Sequence, residues 1–328
     1  MQLIYNVKDK PKFGQLIVFA IQQLLAIMAA TIAVPAIVGN GMTAAAALFG
    51  AGAGTIIYQL FTKFRSPVFL GSSFAFIGSM CAAFAGAVSA QAGYLGLIIG
   101  AVCAGLVYVI ISLIVKIAGV KWIAKLMPPV VIGPTVAIIG LSLAGNAIGD
   151  LQKGDVNVLV EAEGEMVSQM LTNPLIAVLC GLVALFVTMI CSTYGKKSIK
   201  LIPFIIGILS GYALAAVFTV IGNSAGIDAL KVIDFGVFSQ MSLFEIPRFT
   251  FLTAMDGIKE INASYIGTIA MAYLPVACVV FAEHIADHKN ISSIIEKDLL
   301  KEPGLHRTLL GDGVGSMVGA FFGGCPNT

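Results

Sequence analysis

Charge is what this sequence most lacks. Only 11% of its 328 residues are Asp, Glu, Lys or Arg, against roughly 25% in a soluble globular chain. With 58% apolar residues and a mean hydropathy of +0.97, a water-soluble enzyme is excluded. The net charge of +2 is too small to imply a nucleic-acid partner. Histidine is scarcer still: His284, His288 and His306 are the full set, which excludes the multi-histidine membrane iron enzymes. His284 and His288 have the i, i+4 spacing of a zinc site. Between them stand Ile285, Ala286 and Asp287, where a zinc hydrolase needs a glutamate base, so neither a metal nor an organic cofactor is expected. No C-x-x-C pair occurs among Cys81, Cys103, Cys180, Cys191, Cys278 and Cys325. Most fall in apolar runs and read as small buried residues.

What the chain has instead is glycine and long uncharged runs. Its 36 glycines exceed the usual share of roughly 7% and suit close helix packing and broken helices in a bilayer. Residues 13–62 and 66–115 carry no charge. A membrane helix needs about 20 residues, so each run holds two spans. The breaks are read at Gly39-Asn40-Gly41 and at Ser89-Ala90-Gln91-Ala92-Gly93. Further runs cover 126–149, 166–195, 201–227, 261–282 and 308–322, the last interrupted only by Asp312. The reading is nine spans, with the start of a tenth at Gly323.

Loop charge orients them. With a cytoplasmic amino terminus, 15 basic residues fall inside, among them Lys8, Lys63, Lys116, Lys196, Lys197, Lys200 and Lys297. Only Lys153, Lys231, Arg248 and Lys259 fall outside. The outer loop 150–165 is acidic, with Asp150, Asp155, Glu161, Glu163 and Glu165. The first apolar run follows a basic stub without a cleavage site and reads as a retained helix, not a signal peptide.

Ionisable groups inside spans are costly and usually functional. The densest group is Glu283-His284-Ile285-Ala286-Asp287-His288. On a helix, Glu283 and Asp287 share one face, with His284 and His288 on the adjacent one. Either this is the solvated end of the eighth span or Glu283 sits near its middle. Asp312 is either a buried partner to another polar group or an N-cap. Gln22 and Gln23 fit an interhelical hydrogen bond. Gly71-Ser72-Ser73 falls at mid-span in the third run, and the residues after it suit an extended stretch. Gly323-Gly324-Cys325-Pro326-Asn327-Thr328 opens the tenth with similar breakers. Broken spans seven apart suit an inverted seven-helix repeat with substrate near the midplane; the alternative is a packing kink.

Five stretches carry a resemblance over nearly the whole chain. They are Phe69 to Ile77; Met127-Pro128-Pro129 with Gly133 and Ile139-Gly140-Leu141; Ala282 to Ile285 with Asp287; Lys297 to Leu300 with Pro303 to Arg307; and Phe321 to Gly324 with Pro326-Asn327-Thr328. In these the chain resembles the uracil-carrying branch of the nucleobase–ascorbate (nucleobase:cation symporter-2) transporter family. The resemblance implies an all-α polytopic membrane protein of fourteen spans in two inverted repeats of seven, with short strands in broken spans 3 and 10. It implies a core domain over 13–120 and 261–328 and a gate domain over 126–222. Glu283 matches the family's substrate-binding glutamate, Phe74 the aromatic residue of the half-span, and Ser73 adjoins it. His284, Asp287, Asp312 and Gln23 stand at positions linked to proton coupling. His284 favours uracil over the xanthine or urate carried by relatives with serine there. The implied activity is proton-coupled symport of a nucleobase across the bacterial inner membrane, with protons the sole coupling ion. The lipid bilayer is the other partner, and a homodimer is allowed for. The alternatives are a purine carrier of the same family and a non-transporting membrane fragment. The family continues beyond Thr328 with a second binding glutamate, so the chain is expected to be truncated after about nine spans and unable to transport as it stands.

Overall fold

The computed structural model describes residues 5–7, 9–154, 156–162, 165–195, 199, 202–240 and 246–328. Lys8, Asp155, Glu163, Lys196, Lys197 and Lys200 lie outside them. The described chain is mostly helical: α1 (Phe13–Val38), α2 (Ala44–Thr62), α3 (Ile77–Ala85), α4 (Ala90–Ala118), α5 (Lys121–Leu126), α6 (Pro129–Ser142), α7 (Ala144–Leu151), α8 (Pro174–Tyr194), α9 (Pro203–Ala225), α10 (Thr250–Met255), α11 (Ala263–Ile295) and α12 (Leu305–Gly323). Seven stretches are long and apolar enough to cross a membrane: α1, α2, α4, Val130–Leu151, α8, α9 and α11. The third span is a shorter apolar helix, Phe74–Ala85. The ninth is α12, diluted by five glycines and Asp312.

The first break is formed by Gly39, Asn40 and Gly41, all at positive φ (69°, 53° and 77°), a conformation that glycine adopts freely and asparagine tolerates. Thr43 then caps α2 by accepting from Ala46 N. The second break is shorter than the sequence suggested: Ser89 caps α4, so helix resumes at Ala90.

Three further expectations need correction. The mostly helical architecture holds, but a hairpin lies outside the two broken spans where strands were expected: β1 (Asn157–Ala162) and β2 (Glu165–Met170) pair antiparallel, Asn157 opposite Met170. Residues 166–170, counted with the sixth span, are strand. Val167 is the one β-branched residue among them and pairs with Val160 of β1, and α8 starts only where Asn173 caps it and Pro174 takes the first helical position. In the third span, the extended backbone precedes Gly71-Ser72-Ser73 and includes it. Pro67 at the entry starts the extended stretch, since it restricts its own φ and the residue before it, and Phe74 already opens a 3₁₀ turn. Finally, only Cys180 and Cys325 are buried, whereas Cys81 and Cys278 are exposed on helix surfaces. Apolar residues of a span need no protein cover, since lipid is as apolar as they are.

The chain divides into two compact units. One comprises residues 1–16, 30–141 and 246–328; the other comprises 17–29 and 142–245. In the second, α8 and α9 pack together. Gly207 lies so close to Ala184 O that a Cβ there would stand 2.7 Å from it. Thr219 of α9 accepts from Val232 N and Ile233 N, fixing the connection that follows.

In the first unit, α2 and α12 meet backbone to backbone. Gly50 and Gly54 on α2 face Gly315, Gly319 and Gly323 on α12, a spacing of four on both helices. A Cβ on Gly50 would stand 2.5 Å from Gly319 O, and one on Gly54 would stand 2.6 Å from Gly315 O. Small residues at every fourth position are how membrane helices approach this closely. The α2–α12 pair is the frame on which the polar cluster is mounted.

Candidate functional site

Thr55 and Gln59, one turn apart on α2, hold the extended segment that precedes α3. Leu70 N donates to Thr55 Oγ1 (2.9 Å), and Gln59 Nε2 donates to Ser66 O (2.9 Å) and Val68 O (2.5 Å). Irregular backbone at membrane depth needs such internal partners. The far end of the segment pairs with the end of the chain. Gly71 N donates to Thr328 O (3.1 Å), Thr328 N to Gly71 O (3.0 Å) and Ser73 N to Pro326 O (2.9 Å). Ser72 and Asn327 form an antiparallel bridge, and Asn327 Nδ2 donates to Gly50 O (3.1 Å). Gly324, at φ 76°, turns the chain out of α12 toward this pairing.

α11 passes beside the bridge. Asn262 caps it by accepting from Tyr265 N (2.8 Å), and Ser79 of α3 donates to Ala272 O (2.7 Å). The helix continues to Ile295, three turns beyond Glu283. Glu283 is therefore not at the helix end; it is half-buried, and its Oε2 has no partner among the described residues. His284 and His288 are buried with their rings stacked at 4.0 Å, and Asp287 is exposed.

Asp312 sits in the second turn of α12, buried, with Oδ2 2.6 Å from His284 Nδ1; the two side chains are 4% and 2% exposed. It is thus the buried partner of a polar group, and the N-cap reading is overturned because α12 begins at Leu305. So short an N···O separation places a hydrogen between imidazole and carboxylate. The other ring nitrogen, His284 Nε2, lies 3.1 Å from Thr308 Oγ1.

His288 has a defined tautomer. Its Nδ1 is 2.8 Å from His284 O, and a carbonyl only accepts, so Nδ1 carries hydrogen. Neutral His288 then accepts at Nε2 from the Tyr58 hydroxyl (2.8 Å), and Tyr58 in turn accepts from Ser66 Oγ (2.8 Å). Tyr58 is fully buried.

These groups line one cleft of about 300 Å³, walled by Tyr58, Phe69, Leu70, Glu283, Asp287 and Asp312, with His284, His288 and Thr328 among the rest of its lining. That is the small end of the range for small-molecule sites, roughly 300–1,000 Å³. Of the residues singled out in the sequence, Glu283, His284, Asp287 and Asp312 are brought together here. Ser73 is buried beside the strand bridge, its Oγ without a partner among the described residues. Phe74 is half-buried and does not line this cleft; Phe69 supplies its aromatic ring. Gln23 is exposed on α1, within the stretch 17–29 that belongs to the other unit. Sequence reasoning missed Tyr58, Thr55 and Gln59. Their signal was polarity at i, i+3 and i+4 within an uncharged span.

Against known proteins, the model of a family described as the Permease family matches residues 14–328. The chain belongs to the permease family. With seven helices able to span, this permease is a multi-pass membrane protein. It is similar to the uracil permease of Bacillus caldolyticus, 35% identical over 325 residues, covering 99% of this chain and 66% of that protein. It is also similar to the uracil permease of Bacillus subtilis (strain 168), 34% identical, covering 98% and 66%. A third relative is the uracil permease of Escherichia coli (strain K12), 32% identical, covering 98% and 65%. The permease chain thus spans just under two thirds of the length of these relatives.

Proposed function

We propose that the chain carries the substrate cleft of a proton-coupled nucleobase symporter of the bacterial inner membrane, with uracil as cargo. It is a carrier and not an enzyme. The observation that bears most weight is Glu283, a half-buried carboxylate with a free Oε2 in a cleft beside the paired ends of two broken spans. Uracil offers flat faces, N–H donors and C=O acceptors. In this reading Glu283 accepts an N–H and Phe69 covers a ring face, while Ser73 and Phe74, which do not line the cleft, belong to the half-span that frames it. A charge-assisted hydrogen bond in a dry site is stronger than one in water. The similarity to uracil permeases supports the cargo.

Asp287, His284 and Asp312 form the proton-coupling group; Gln23, which belongs to the other unit, carries that assignment from the resemblance alone. The antiparallel pairing of Ser72 with Asn327 supports broken spans 3 and 10 in an inverted seven-plus-seven repeat. The grouping of α2, α3, α4, α11 and α12 in one compact unit, and of α8 and α9 in the other, supports a core over 13–120 and 261–328, although residues 17–29 of α1 cluster with the second unit. It supports a gate within 126–222, although α6 clusters with the first unit. The uneven distribution of basic residues supports a cytoplasmic amino terminus.

The test is calorimetric titration of uracil into the purified chain in detergent. Glu283→Gln should weaken binding about 10- to 150-fold, the equivalent of roughly 1.5–3 kcal/mol for a hydrogen bond to a charged group. Equal affinity in the variant, or no uracil binding by the chain, would sink the assignment.

A further inference from the structure

A second, smaller chamber lies on the far side of Asp312. It is lined by Phe76, Ala104, Gly105, Tyr108, Asp312 and Ser316, with Asn327 and Thr328 closing it. Asp312 and Thr328 line both this chamber and the cleft. Three side chains here are buried, at 3% for Asp312, 1% for Asn327 and 4% for Tyr108. Each has a polar atom without a partner among the described residues: Asp312 Oδ1, Asn327 Oδ1 and Tyr108 Oη. An unpartnered buried polar atom costs about 1–3 kcal/mol, so three around one chamber call for a shared ligand.

The chamber has about 10 Å³ of room, close to the minimum of roughly 10–15 Å³ for one water molecule. The donor and acceptor count decides its occupant. Tyr108 brings a hydroxyl hydrogen to donate; Asn327 Oδ1 and Asp312 Oδ1 accept. One water meets all three, accepting from Tyr108 and donating one hydrogen to each of the other two. A buried water with three bonds is the usual case. A bare cation would suit the two acceptors but leave the Tyr108 hydrogen with nothing to receive it.

We infer that this chamber binds a single structural water that joins Asp312 to Tyr108 and to Asn327 of the strand bridge. The water is a positioning element. One oxygen of Asp312 is held by His284, and the water holds the other. It thereby ties the carboxylate facing the cleft to the backbone pairing that closes it. The inference does not depend on which cargo the cleft takes.

Radiolytic hydroxyl-radical labelling of the purified chain in lipid nanodiscs tests it, because a bound water generates radicals in place. Tyr108 should be labelled despite its burial, at a rate comparable to that of exposed Tyr194. Ser316→Val, which puts a methyl group where the chamber needs room, should abolish the label at Tyr108 and leave Tyr194 unchanged. Protection of Tyr108 in the unaltered chain overturns the inference, whether or not the variant folds. So does a label that survives in a folded Ser316→Val protein. A melting temperature that rises when sodium chloride replaces choline chloride would assign the chamber to a cation and overturn the water.

Discussion

Consider alanine at Gly50. The new Cβ would stand 2.5 Å from Gly319 O and 3.1 Å from Gly323 N, whereas ordinary contacts begin near 3.4 Å. Both obstacles are backbone, so no side chain can rotate aside, and α2 and α12 must separate by nearly an ångström. Overpacking of this kind costs about 1–3 kcal/mol, and a backbone clash belongs at the upper end. The comparison is Gly52→Ala, two residues on, where nothing lies within 4 Å. Alanine raises helix propensity by about 1 kcal/mol at either position. Both sites are interior to α2, so helix surviving denaturation affects the two variants alike. Gly50→Ala should therefore be less stable than Gly52→Ala by about 3 kcal/mol. Unfolding by sodium dodecyl sulfate from mixed micelles, followed by circular dichroism, reads the difference. Gly50 O also accepts from Asn327, so uracil binding should weaken in the same variant. Equal stability of the two variants would refute the backbone-contact account of this helix pair.

Tyr58→Phe should cost at least about 2 kcal/mol in the same assay, because it strands both the Ser66 hydroxyl and His288 Nε2 in the interior. Asp287→Asn should leave the best attainable uracil affinity in place while flattening its dependence on pH. Proton and cargo bind with positive coupling in a symporter, so the unaltered chain should bind uracil more tightly as pH falls; titrations at a series of pH values check both. The Arg65–Glu302 pair, with side chains 50% and 65% exposed, should show a coupling below about 1 kcal/mol in a double-mutant cycle.

Charge spacing alone located the membrane helices, because a bilayer forbids charge over about 20 residues and the loops must carry what the spans cannot. It mislaid the hairpin at 157–170, where an acidic loop and an uncharged run adjoin and only the two-residue alternation marks a strand. Glu283 and Asp287 were legible as one helical face, since their spacing is local. The bond from His284 to Asp312 was not. Periodicity fixes which side of a helix a residue takes, never which other helix meets it. The same holds for Tyr58 and His288, whose meeting depends on α2 and α11 approaching the same stretch of α12. The direction of the break in the third span was misjudged because Gly71 and the serines mark where helix fails. They do not tell on which side the extended chain lies, and Pro67 together with the bonds from Thr55 and Gln59 decides that.

The backbone pairing of Gly71 and Ser73 with Pro326 and Thr328 joins two segments about 250 residues apart in the sequence. Three helical hairpins' worth of chain enters the membrane between them. During synthesis the third span must therefore wait, its Ser66 and Val68 carbonyls served by Gln59 and its Leu70 N–H by Thr55, until residues 326–328 have left the ribosome. Assembly of the cleft consequently follows insertion of the third span by a long interval, and a nascent chain arrested within that interval displays the third span to whatever insertion factors or proteases survey it.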